Sequence, residues 1–302
     1  MKEVTDFFGR ERVLVGTHTY GEESASRSCD LAVILTNAGL LDRTGPHRMN
    51  VRIARVLGRI GVPSMRFDMS GLGDSRRPAR PLPADGQYVA DAREALDEAQ
   101  ARHGTRRIAM IGFCSGADVA HVVALQDERI CGLLLWDPYI YPTLKSKLVR
   151  FRNRLLDLGL VEAVRRFTRN AVQSAIVRVK GGPPPASGEH ASKIPLFGRT
   201  YIPPVGEYAG RLKQLLDRGV SITIIYTGGY PRYYNYANQY RDSFKGYDIS
   251  DRISFFYLPK SDHLVTSRAA QQELLDIVAK WVEPMRALPA GELSVGAHGR
   301  KP

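Results

Sequence analysis

Five residues, GFCSG (112–116), have the types and spacing of a nucleophile turn. They follow RIAMIGF (107–113), an apolar run typical of a buried strand, and lead into GADVAHVVALQ (116–126), a sequence typical of a helix. A sharp strand-to-helix turn with flanking glycines lifts its central side chain above the sheet. That residue is Cys114, and Ser115 is out of register. We predict that Cys114 is the nucleophile of acyl chemistry; the alternative is a buried structural cysteine.

The elements that would position this turn alternate between strand and helix. Apolar, β-branched runs predict strands at 10–20, 30–36, 64–70, 107–113, 131–137, 220–226 and 253–259, and helical spacing predicts helices at 46–61, 87–104, 116–126 and 269–282. This alternation predicts an α/β fold with a mostly parallel, doubly wound sheet covered on both faces. Ligands of such sheets bind at the carboxyl ends of the strands. Residues just after strands are therefore the candidates for function.

The alternation is interrupted over residues 141–218, which we interpret as an inserted helical cap. The core would then comprise residues 1–140 and 219–287, and residues 288–302 form a Gly/Pro-rich tail expected to be disordered. Residues 141–180 contain ten Lys or Arg against two acidic residues, which is +8 of the net charge of +12. Such a basic segment attracts anionic partners, although a solvated helix face is equally consistent with it.

The bulk composition excludes several classes of protein. With 302 residues and three cysteines, the chain has no disulfide framework, and no CxxC pair suggests zinc. The N-terminus lacks the apolar core of a signal peptide, and no apolar run approaches the length of a membrane helix. We expect a cytoplasmic protein without a membrane span, a metal or another cofactor.

Four motifs in order resemble one superfamily. They are LTNAGL (35–40), the segment 45–75 that ends in DMSGLGDS, IGFCSGA (111–117) and SDHLVT (261–266). Together they resemble the α/β-hydrolase superfamily, in particular its serine-aminopeptidase-like and exosortase-system-associated hydrolases. The resemblance implies an α/β-hydrolase fold with an inserted cap.

The resemblance also implies roles for individual residues. His263, on the loop after the last core strand, would be the general base, which suits a side chain that titrates near neutral pH. The N–H of Ser115 and that of Gly39 or Leu40 would form the oxyanion hole.

The acid departs from the family pattern. The loop at 227–236, where the acid usually follows its strand, contains no Asp or Glu, and Tyr230 stands at the usual acidic position. Asp137, at the end of the preceding strand, is the preferred replacement. Asp242 is the alternative, and Asp262 is interpreted as structural.

These residues predict an acyl-transfer enzyme of thioesterase or acyltransferase type with a thioacyl intermediate on Cys114. The substrate would be an acyl ester or thioester, with coenzyme A or an acyl-carrier protein bound through the basic cap. A carboxylester hydrolase of the same mechanism and a non-catalytic binding protein stay open, the latter because of the missing acid. Nothing beyond net charge points to nucleic acid.

Overall fold

A computed structural model describes residues 1–21, 29–158 and 202–287. The strands are β1 (Glu3–Phe8), β2 (Leu14–Thr19), β3 (Leu31–Thr36), β4 (Ser64–Asp68), β5 (Arg107–Phe113), β6 (Ile130–Trp136), β7 (Ser221–Thr227) and β8 (Ser254–Leu258). They form one sheet in the order β1-β2-β4-β3-β5-β6-β7-β8, in which β1 and β2 are antiparallel to their neighbours and the other strands are parallel. The predicted fold class is confirmed.

Helices cover both faces of this sheet. The described helices are α1 (Met49–Arg59), α2 (Ala84–His103), α3 (Ser115–Gln126), α4 (Leu144–Leu158), α5 (Val205–Asp217), α6 (Gln239–Ser243) and α7 (Arg268–Arg286). Along β6, Leu133 and Leu135 face the core beneath α2, α3 and α5, whereas Leu134 and Trp136 face the core beneath α1 and α7. Successive side chains of a strand point to opposite faces, so a strand buried on both sides must be apolar throughout.

The sequence did not predict β1, and it predicted one continuous strand over 10–20. In the structure Gly9 and Arg12 both have positive φ angles, and they make a turn before β2 begins at Leu14. Strand β1 is a half-exposed edge strand that pairs only with β2. Because an edge strand is not buried on both sides, it lacks the apolar run by which the inner strands are recognised.

The structure describes the predicted cap only in part. Helix α4 begins soon after β6, and residues 159–201 lie outside the described residues, as does the predicted tail at 288–302. Helix α5 buries Tyr208, Leu212 and Leu215 in the same core as α3. The division into core and cap therefore stays a prediction. Within the described ranges, no helix combines the length and the apolar character needed to cross a membrane.

Candidate active site

Cys114 occupies a strained turn between β5 and α3. Its φ and ψ are 52° and −118°, and positive φ is uncommon for a residue other than glycine. A Cβ atom at Gly112 would lie 2.5 Å from the Cα of Ala117, and one at Gly116 would lie 2.4 Å from the carbonyl oxygen of Asn37. Only glycine fits either position. The chain thus holds Cys114 in a strained strand-to-helix turn at the carboxyl edge of the sheet.

Asp137 and His263 meet at the same edge of the sheet. Asp137 follows β6 with φ of 48°, and its Oδ2 accepts a hydrogen bond from His263 Nδ1 at 2.7 Å. Thr227, the last residue of β7, donates from its hydroxyl to Oδ2 at 2.7 Å and from its backbone N–H to Oδ1 at 2.8 Å. Strands β6 and β7 are parallel neighbours, so their ends place the carboxylate and its two donors side by side.

The imidazole of His263 is held on several sides. Its ring packs against that of Phe113, with centroids 4.6 Å apart, and against that of Tyr230, with centroids 4.4 Å apart. A Cβ atom at Gly229 would lie 2.2 Å from the backbone nitrogen of His263, so glycine is required there too. The imidazole also forms a side-chain hydrogen bond with Cys114. The structure therefore joins Cys114, His263 and Asp137 in one hydrogen-bonded chain.

Opposing influences set the charge of His263. Burial alone would lower its pKa, but hydrogen bonds to Asp137 and Cys114, together with the negative charge of these groups, raise the pKa of His263 to about 9. The imidazole is therefore mainly protonated at neutral pH. A protonated imidazole is the natural partner of a cysteine thiolate.

This raised pKa predicts a loss of stability at alkaline pH. The folded protein holds the proton of His263 more tightly than the unfolded chain, whose histidine pKa is near 6.5. Protonation of His263 makes its full contribution to the free energy of unfolding below about pH 6.5. This contribution is at most about 3 kcal/mol and is lost as pH rises through about 9. Urea unfolding at a series of pH values should show this decrease. His263→Gln should remove most of it, and an equal decrease in that variant would contradict the assignment.

Thr227 was not predicted from the sequence, and its hydroxyl should matter for the alignment of Asp137. Thr227→Val keeps the shape but removes one donor from a buried carboxylate, which should cost about 1–3 kcal/mol of unfolding free energy. We expect activity to fall roughly tenfold as well, because His263 would be less well oriented. Thr223→Val, a buried position earlier on the same strand, is the matched control. Equal activities of the two variants would contradict a positioning role for Thr227.

The predicted oxyanion-hole residues are partly brought together. Ser115 is the first residue of α3, where backbone N–H groups have no acceptor within the helix. Its hydroxyl accepts a 2.8 Å hydrogen bond from the N–H of Gly39, so the two loops are tied to each other. The side chain of Leu40 is 82% exposed. The N–H of Gly39 is therefore directed at the Ser115 hydroxyl, and the predicted donor that adjoins Cys114 is the N-terminus of α3.

The remaining acidic candidates lie in other contacts. Asp242 accepts a hydrogen bond from the Tyr236 hydroxyl at 2.7 Å, and Asp262 accepts one from the N–H of Thr266 at 3.2 Å. The structure thus brings Asp137, rather than Asp242, to His263. In the part of the chain that the structure describes, no group of three or more His, Cys, Asp or Glu residues could hold a metal ion.

Comparisons with solved structures agree with this fold. An esterase of Pyrococcus furiosus aligns over 95% of this chain and 91% of its own, with 16% identity and a TM-score of 0.58. A thermophilic esterase from Thermogutta terrifontis aligns over 95% and 100%, with 16% identity and a TM-score of 0.54. A serine hydrolase without a lid from Xanthomonas campestris aligns over 96% of both chains, with 12% identity and a TM-score of 0.53. At these identities the likeness concerns the fold alone.

Comparison with protein families is more specific. No curated protein matches the chain. The family described as serine aminopeptidase, S33, matches residues 28–180, which is about half of the sequence. This match spans β3 to α4 and includes the turn at Cys114. The chain belongs to the serine aminopeptidase S33 family of the α/β-hydrolase superfamily.

Proposed function

We propose that this α/β hydrolase is an acyl-transfer enzyme with Cys114 as its nucleophile. The Cys114 thiolate attacks the carbonyl carbon of an ester or thioester and forms a tetrahedral oxyanion beside the N-terminus of α3. Its collapse breaks the bond to the leaving alcohol or thiol, which takes the proton of His263. Water or another acceptor then attacks the thioacyl-enzyme, gives its proton to His263 and releases the product.

The hydrogen-bonded chain of Cys114, His263 and Asp137 carries this proposal. Serine needs a neutral histidine to remove its proton, whereas cysteine forms a thiolate far more readily and reacts beside a protonated imidazole. A protonated imidazole hydrogen-bonded to both Asp137 and Cys114 therefore fits a cysteine at this turn, and Cys114 itself contributes to the raised pKa of His263. Asp137 would orient the imidazole and stabilise its positive charge. We propose both that Cys114 is the nucleophile and that the chain is related most narrowly to the exosortase-system-associated hydrolases.

A carboxylester hydrolase using the same residues is the second candidate. The structural neighbours from Pyrococcus furiosus and Thermogutta terrifontis are described as esterases, which favours ester substrates. The two candidates share the acylation step and differ in what receives the acyl group. Binding of coenzyme A or an acyl-carrier protein through the basic cap stays a prediction, because Arg165, Arg166, Arg169, Arg178 and Lys180 lie outside the described residues.

Product analysis separates these functions. The protein would be supplied with an acyl thioester or an aryl ester, with and without a thiol or alcohol acceptor, and both the leaving group and the acyl product would be measured. Acyl transfer predicts that the acceptor diverts the acyl group from the free acid. Formation of free acid alone, unchanged by the acceptor, would indicate a plain hydrolase. No leaving group from either substrate would favour a non-catalytic protein.

A further inference from the structure

The hydroxyl of Ser115 lies on the β3 side of the turn at Cys114. It accepts the 2.8 Å hydrogen bond from the N–H of Gly39, which belongs to the loop that follows β3. Ser115 is half-buried and directly follows Cys114 in the chain. The hydrogen bond therefore places this hydroxyl between the end of β3 and the end of β5, close to the candidate nucleophile.

The hydrogen of this hydroxyl is not donated to any described part of the protein. A serine hydroxyl has one hydrogen to donate and two lone pairs with which to accept. Among the residues that the structure describes, Ser115 Oγ makes no hydrogen bond other than the one from Gly39. That bond uses a lone pair and leaves the hydrogen for a ligand. An N–H that donates to the oxygen also polarises the O–H bond, which strengthens the hydroxyl as a donor.

The order of the strands separates this hydroxyl from the candidate base. In the sheet, β3 lies on one side of β5, whereas β6, β7 and β8 lie on the other side. Asp137 follows β6 and His263 follows β8, so the imidazole reaches Cys114 from this second side. The hydroxyl of Ser115 and the imidazole of His263 therefore flank Cys114 from opposite sides.

This arrangement matches the charge that develops when a thiolate attacks a carbonyl group. As the bond between Cys114 Sγ and the carbonyl carbon forms, the π electrons of the carbonyl move to its oxygen. The leaving group must face His263 to take its proton, so the oxyanion is directed toward the β3 side, where the Ser115 hydroxyl lies. A donor fixed at the place where an oxyanion develops stabilises the transition state more than the bound substrate.

We propose that the side-chain hydroxyl of Ser115 is an oxyanion-hole donor and hence a further catalytic residue. It donates a hydrogen bond to the oxyanion without transferring its proton, while the N–H of Gly39 holds its oxygen in place. Gly39 is then a positioning residue that acts through Ser115. This inference rests on the proposed acylation of Cys114, and it adds a side-chain donor to the backbone N–H groups at the start of α3.

Steady-state kinetics of Ser115→Ala test this proposal, because alanine keeps the backbone of the turn and removes only the hydroxyl. We expect kcat for an acyl ester or thioester to fall roughly 10²-fold while KM changes little. Ser115→Thr keeps a hydroxyl and should recover most of this loss. Ser64→Ala is the matched control, since it removes a buried hydroxyl at the start of β4, at the opposite edge of the sheet, and it should retain the kcat of the wild type.

Alkylation of Cys114 by iodoacetamide distinguishes an oxyanion donor from a merely structural residue. In this reaction the thiolate displaces iodide from a methylene carbon and no oxyanion forms, so Ser115→Ala should be alkylated at the rate of the wild type. The proposal is overturned by an unchanged or increased kcat in Ser115→Ala, by equal kcat in Ser115→Ala and Ser115→Thr, or by an equal loss of alkylation and turnover. If Cys114→Ala abolishes turnover in the same assay, any of these results leaves the proposed function standing. Full turnover in Cys114→Ala would refute both.

Discussion

Replacing Cys114 by alanine should lower kcat/KM for an acyl ester or thioester by a factor of roughly 10⁴. The substitution removes the only atom that could form the acyl-enzyme in this mechanism, while the turn and the histidine stay in place. Cys114 is 1% exposed, and alanine is smaller than cysteine. The neighbouring side chains therefore need not shift, and the variant should remain folded. Steady-state kinetics with both substrate classes provide the measurement.

The other two cysteines provide matched controls for this experiment. Burial raises the pKa of Cys29, and it raises the pKa of Cys131 to about 11, so neither thiol is ionised at neutral pH. Cys29→Ala and Cys131→Ala should therefore retain wild-type turnover. Full activity in Cys114→Ala, or an equal loss in Cys131→Ala, would contradict the assignment of the nucleophile.

His263→Gln should produce a loss of roughly 10³-fold or more, because the thiolate loses the cation beside it and the leaving group loses its proton donor. Asp137→Asn should cost less, since the pair of Cys114 and His263 survives. Its clearer signature is in the pH profile of kcat/KM. Asp137 helps to raise the pKa of His263 to about 9, so activity that needs the protonated imidazole should decline at lower pH in the variant than in the wild type.

Two outcomes would count against this role of the histidine and its carboxylate. The first is wild-type activity in His263→Gln. The second is an alkaline limb that stays in place when Asp137 is replaced. Asp242→Asn is the control for removing a carboxylate elsewhere on this side of the protein, since Asp242 contacts Tyr236 rather than His263. It should leave both the rate and the pH profile unchanged.

The inner sheet and the turn at Cys114 could be predicted from the sequence because their signals are local. A strand buried on both faces must be apolar, and a turn position where a Cβ atom would lie within 2.5 Å of a neighbouring backbone atom must be glycine. The preference for Asp137 over Asp242 came from the resemblance, and it agrees with the rule that residues at the carboxyl ends of parallel strands share one edge. The edge strand β1 lacks the continuous apolar run that identifies the inner strands, so the sequence did not predict it.

Features that depend on three-dimensional proximity could not be predicted. Thr227 looks like any other residue at the end of a strand, and its role appears only once β6 and β7 lie side by side. The loop that lacks an acid instead supplies Tyr230, whose ring packs on the imidazole.

The most direct test of covalent catalysis at Cys114 is intact-protein mass spectrometry after incubation with a panel of acyl thioesters and aryl esters. The wild-type protein should gain the mass of one acyl group, Cys114→Ala should gain none, and Cys131→Ala should behave like the wild type. The added mass would also identify the preferred acyl group. Turnover without any adduct on the wild type, or the same adduct on Cys114→Ala, would contradict a thioacyl intermediate on Cys114.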